Sequence, residues 1–190
     1  DITPPSKEVQ LSPEELLSIR YKSSPELSQT EVFNLLTTFQ SSELKNNAHS
    51  RITFQPNIFQ IKEKYYLSKN KADARNIEST EEQIPIYKIE FTSETGTGMA
   101  VVSGDRRAPH ILAYIDNIKE NQDSLYTSPN ALLQWSEMYI RNEVTKFDEI
   151  KDSLYESAVL KISKELYITS KDIDYEAIKN QIKQQLYQPL

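Results

Sequence analysis

Residues 84 to 116 read IPIYKIEFTSETGTGMAVVSGDRRAPHILAYID. Three runs in this stretch, Ile84–Phe91, Gly98–Ser103 and Ile111–Asp116, are rich in β-branched and aromatic residues and read as short strands. Thr92–Thr97 joins the first two as a hairpin loop in which Gly96 takes positive φ. Gly104–His110 joins the second and third as a turn led by Gly104, a further candidate for positive φ, and stopped by Pro109. The three glycines of the chain, Gly96, Gly98 and Gly104, all fall here.

Outward from this block the period changes to that of helices. Toward the amino terminus, Ser12-Pro13-Glu14-Glu15 carries a Ser N-cap, a Pro at the first helical position and a Glu at the capping-box position, with Leu16, Leu17 and Ile19 as a short apolar face. Ser28-Gln29-Thr30-Glu31 repeats the pattern, and Val32, Leu35, Leu36 and Phe39 predict a second amphipathic helix ending near Gln40. Ile52 and Phe54, then Ile58–Leu67, suit strands broken at Gln55-Pro56-Asn57, and Ser68–Gln83 reads as a polar loop.

Toward the carboxyl terminus, Ser128-Pro129 opens a helix with Leu132, Trp135, Tyr139 and Ile140 on one face. Phe147, Ile150, Leu154, Ala158, Ile162 and Leu166 continue it as one long or two abutting helices. Ser170 or Asp172 caps a last predicted helix with a stripe of Tyr175, Ile178, Ile182 and Leu186. Helices, a clustered antiparallel sheet of about four strands, then helices: the class is α+β. Residues 1–11, with adjacent prolines, read as an extended leader or tether, 12–147 as the α+β domain and 148–190 as a helical extension.

The 190 residues carry a net charge of -6, with no Cys and two His. Without a thiol there is no cysteine nucleophile, disulfide or thiolate metal site, and His49 and His110 lack a metal-ligand spacing. Three clustered glycines exclude a P-loop and a dinucleotide fingerprint. No apolar run approaches the length of a membrane span, and a start at Asp1 suggests a processed or trimmed amino terminus.

Asp172-x-Asp174-x-Glu176 opens like a calcium loop, but Ala177 stands where that loop needs Gly and Lys183 where it needs Glu, so it reads as a charged helix start. Glu14/Glu15 and Glu81/Glu82 read as solvated acids. Lys62, Lys64, Lys69, Lys71 and Arg75 alternate with Tyr65 and Tyr66, yet Glu63, Asp73 and the negative net charge argue against a nucleic-acid surface. In Gly104-Asp105-Arg106-Arg107, the Asp ties its own turn through side-chain to backbone bonds. Arg106 and Arg107 are expected at the exposed tip, either idle or as an electrostatic contact for a partner.

The run Ile86-Tyr87 to Phe91, Gly98-Met99-Ala100-Val101-Val102-Ser103-Gly104-Asp105-Arg106-Arg107, Pro109, Ile111-Leu112-Ala113-Tyr114, with Asn130, Trp135 and Tyr139, resembles the propeptide domain of the streptopain family of papain-like cysteine peptidases. That domain also occurs as a free-standing inhibitor. The resemblance covers residues 84–147, about a third of the chain. It implies a non-catalytic domain without a cofactor that inhibits, and assists folding of, a papain-like peptidase catalytic domain in cis or in trans, and it implies export. It further implies that the loop entering the helix after the sheet, Asn117–Asn130, fills the peptidase cleft through Thr127, Ser128, Pro129 and Asn130. The family places its Asn four residues before the Trp/Phe position; here Asn130 stands five before Trp135, with Ala131 in the matching slot. The alternative is an exported or surface-tethered interaction module without inhibitory activity.

Overall fold

The computed structural model describes residues 7–46, 58–70, 82–93, 96–119, 129–169 and 172–185. In chain order the elements are β1 (Val9–Leu11), α1 (Pro13–Ser23), α2 (Gln29–Asn46), β2 (Phe59–Ser68), β3 (Gln83–Ser93), β4 (Gly96–Ser103), β5 (Ile111–Ile115), α3 (Pro129–Leu166), α4 (Tyr175–Ile178), a 3-10 turn (Lys179–Gln181) and β6 (Ile182–Gln184). The class is α+β. The chain divides into two compact units, Glu26–Thr145 and a second made from Asp1–Pro25 together with Lys146–Leu190.

The Glu26–Thr145 unit is built on an antiparallel sheet in the order β2-β3-β4-β5, formed from the three strands of the quoted stretch and the 58–67 run. Alternation along β3 sends Tyr87, Ile89 and Phe91 to one face, where they pack with Ala100, Val102 and with Val32 and Leu36 of α2. Ile84 and Ile86 go to the other face and pack with Val101, Leu112 and with Ile140 and Val144 of α3. Helices therefore bury both faces. A bulge between Ile61 and Glu63 inverts the parity of β2: Phe59 and Ile61 join the α2 face, whereas Tyr65 and Leu67 join the α3 face. The strand expected at Ile52 and Phe54 lies outside the described residues.

Both predicted capping boxes form. Ser12 Oγ accepts from the Glu15 N–H at 3.1 Å while the Ser12 N–H donates to Glu15 Oε1 at 3.0 Å; Ser28 and Glu31 do the same at 3.2 Å each. Helix α2 runs on to Asn46, beyond the expected end at Gln40. Gly96 has φ of 140°. Gly104 does not take positive φ; it is needed because a Cβ there would collide with the Tyr87 ring.

Two expectations at the chain ends are corrected in the other unit. The leader reading of 1–11 fails at Val9 and Leu11, which are buried in β1 and pair in parallel with β6, Val9 against Ile182 and Leu11 against Gln184. The last helix is shorter than predicted: it is capped by Asp174, stops at Ile178, and gives way to a 3-10 turn and then to the strand that carries Ile182. Both corrections have one cause. Val9, Leu11 and Ile182 satisfy each other only across the length of the chain, and with Ile19, Ala158, Ile162, Ile173 and Ile178 they make a second core. The division expected at 147/148 shifts accordingly, because residues 1–25 belong with the carboxyl-terminal ones.

Candidate functional site

The Gly104–Pro109 turn is a buried polar node. The Gly104 N–H donates to the Pro85 carbonyl at 2.8 Å, and the Gly104 carbonyl accepts from the Leu27 N–H at 2.8 Å, so the turn ties β3 to the start of α2. Asp105 Oδ1 accepts from the backbone N–H of Arg107 at 2.9 Å, as predicted for an Asp that closes its own turn. The guanidiniums depart from expectation. Arg107 Nε and Nη2 donate to Asp105 Oδ1 and Oδ2 at 2.9 and 2.8 Å, and Arg106 donates bidentately to Glu31 at 2.8 and 3.0 Å.

Asp105, Arg106 and Arg107 are all 5% exposed or less. The displayed arginine tip is therefore corrected: planar donors matched to carboxylates hold the turn inward. An ion pair this deep is stabilising only while complete, since removing one partner strands the other charge in a low dielectric.

Thr127 and Ser128 lie outside the described residues. Pro129 and Asn130 are the first two residues of α3, and their side chains are also outside the described part. Downstream, the helix faces differ from expectation. Leu133, Ile140 and Val144 set the core face of α3, which turns Trp135, Met138 and Tyr139 outward with exposures of 71%, 56% and 51%. Beside them a shallow cleft of about 310 Å³ is lined by His110, Ile111, Leu112, Trp135, Ser136, Tyr139 and Ile140. The His110 ring meets the Tyr139 ring edge-on at 5.3 Å, and Ser136 Oγ donates to the Leu112 carbonyl at 3.0 Å. Burial pushes His110 below its ordinary value, against the nearby Glu143 carboxylate.

Comparison with protein families, with curated proteins and with solved structures returned no match to this chain.

The other unit has a polar node that the sequence concealed. Glu15, read as a solvated acid, is 4% exposed and accepts from Lys161 Nζ at 2.6 Å and Ser157 Oγ at 2.8 Å besides the Ser12 N–H. Burial works to raise its pKa, but the bonds from Lys161, Ser12 and Ser157 prevail and hold it at about 2. Its only local signal was the capping box, which uses Oε1; Lys161 shares that oxygen and Ser157 takes Oε2.

Among the described residues no group of three His, Asp or Glu side chains could hold a metal ion, and no helix is long and apolar enough to cross a membrane. The basic residues of β2 are engaged with acids: Lys64 with Glu26 at 2.8 Å and Lys62 with Glu90 at 3.7 Å.

Proposed function

We propose that this chain is a non-catalytic domain that inhibits a streptopain-type cysteine peptidase by covering its active-site cleft, as a pro-region in cis or an exported inhibitor in trans. The observation that supports the reading is the element order around the quoted stretch: strand, hairpin, strand, Gly-Asp-Arg-Arg turn, strand, then entry into a helix at Pro129. The resemblance implies that order and assigns the segment before that helix to the cleft. Inhibition of this kind needs no chemistry from the inhibitor; shape, buried area and a blocked nucleophile suffice. Asp105, Arg106 and Arg107 do not serve as the contact face in this reading, because their charges are spent inside the turn. They position the start of α2 and the sheet.

The test is direct. The purified chain is titrated into an active streptopain-type catalytic domain while hydrolysis of a peptide substrate is followed. Activity is expected to fall with added chain; unchanged hydrolysis at saturating chain would contradict the proposal and leave an interaction module without inhibitory activity. The reading frame after Leu190 separates the two forms of the proposal: a papain-like domain there marks a pro-region, a stop codon an inhibitor in trans.

A further inference from the structure

We propose that residues 7–11 are a strap that guards the carboxyl-terminal segment against proteolysis. While β1 is seated, the peptide bond after Lys183 is closed to a protease; when β1 leaves, β6 opens and the sheet of the other unit stays folded. The strand pairing supports this atom by atom. In the parallel register Val9↔Ile182, Gln10↔Lys183 and Leu11↔Gln184, the Leu11 carbonyl accepts from the Gln185 N–H at 2.8 Å. That register turns both backbone groups of Lys183 toward the strap, its N–H to the Val9 carbonyl and its carbonyl to the Leu11 N–H. The Lys183 side chain is exposed and pairs with Glu8 at 2.9 Å. A protease selective for Lys therefore meets the side chain it recognises, but the carbonyl it must hold in its oxyanion hole is engaged by β1.

The strap is lightly held. Of its five residues only Val9 and Leu11 are buried. Its first residue rests at the surface, with the Lys7 ammonium 3.6 Å from the centroid of the exposed Tyr167 ring. Two three-residue strands in parallel make the smallest of ladders, of the less stable kind. The packing of α1 on α3 does not pass through them: Ile19 shares a core with Ala158 and Ile162, and Glu15 bonds Ser157 and Lys161. Neither core of the Glu26–Thr145 unit includes a strap residue. Release of β1 with β6 is thus a local opening, well below global unfolding in free energy. The strap is independent of peptidase inhibition, and either reading can fail without the other.

Limited digestion of the full chain with trypsin tests it, the initial rate at each bond being followed by mass spectrometry. Leu11→Ala removes one of the two anchors and is expected to raise the rate of cleavage after Lys183 about tenfold or more. Cleavage after Lys161 in α3 and after Lys88 in β3 is expected to keep its rate. Val9→Ala, at the other anchor, should act on the same bond with the same selectivity. Amide hydrogen exchange reads the same partition without a protease: in Leu11→Ala the Lys183 and Gln185 N–H groups lose protection, and those of β2 to β5 keep theirs. A rate after Lys183 that neither variant changes overturns the inference, because β6 then opens without regard to the strap. So does an equal acceleration after Lys88 or Lys161, because the opening is then not confined to the strands at the chain ends.

Discussion

Each unit of this chain holds a buried carboxylate node, and the two are assembled differently. In the Glu26–Thr145 unit, Asp105, Arg106 and Arg107 are consecutive, and Glu31 and the Glu26 and Gln83 carbonyls come from elsewhere. In the other unit, Glu15 meets Ser157 and Lys161 across 142 and 146 residues. The Asp105–Arg107 pair of the first node closes within a single turn. The second closes only when the two ends of the chain meet, at the entropic cost of a long loop. The donors differ as well: a planar, fully buried guanidinium in one, and a half-exposed ammonium in the other. The turn node should therefore fail abruptly when broken, and the terminal node gradually.

The largest effect is expected from Arg107→Met, which leaves Asp105 buried without its bidentate partner. A loss of about 3–5 kcal/mol in urea unfolding is expected. Lys161→Met should cost clearly less, because water reaches that site and Ser157 and Ser12 still serve Glu15. Equal losses would erase the contrast between the nodes.

Gly104→Ala probes the turn sterically. Its Cβ would press on the buried Tyr87 ring, and a loss of about 1–3 kcal/mol is expected from overpacking. Tyr87→Leu in the same chain should recover part of it. Full sensitivity to Ala with no recovery would return the explanation to backbone conformation.

Acid titration isolates the terminal node. The Glu15 pKa is about 2 in the folded chain against an ordinary 4.5, so between those values the unfolded state binds more protons. Stability then rises with pH across that window, and the contribution of Glu15 is complete above pH 4.5 and lost as pH falls toward 2. Its size is roughly 3 kcal/mol. Urea midpoints from pH 5 to pH 2 should show this slope reduced in Glu15→Gln; an identical slope in the variant would remove Glu15 from the account.

The smallest effect on stability belongs to Asn130→Ala. Within the proposed function it should weaken peptidase inhibition while thermal unfolding stays nearly unchanged. A loss near 1 kcal/mol with unaltered inhibition would make Asn130 a helix-terminal residue only.

The same contrast explains what the sequence could reveal. The sheet was legible because alternation, the hairpin glycine and the Asp105 turn are local patterns, and both capping boxes lie within four residues. The bulge at Ile61/Glu63 was hidden, since Tyr65-Tyr66-Leu67 is apolar on either parity. Strands β1 and β6 were hidden too: three residues carry almost no period, and the reason for Ile182 to leave a helix is Val9 at the far end of the chain. On α3 both candidate faces hold large side chains. Only packing decides that Ile140 and Val144 go inward and that Trp135 and Tyr139 go out, so the single face expected for Trp135, Tyr139 and Ile140 is divided between solvent and core.

The most direct measurement of the central claim is the reactivity of the peptidase's own cysteine. With the chain added to a streptopain-type catalytic domain, alkylation of that thiol by iodoacetamide should slow in proportion to the activity lost, because a covered cleft excludes reagent and substrate alike. Alkylation at the rate of the peptidase alone, at a chain concentration that saturates any effect on hydrolysis, would contradict it.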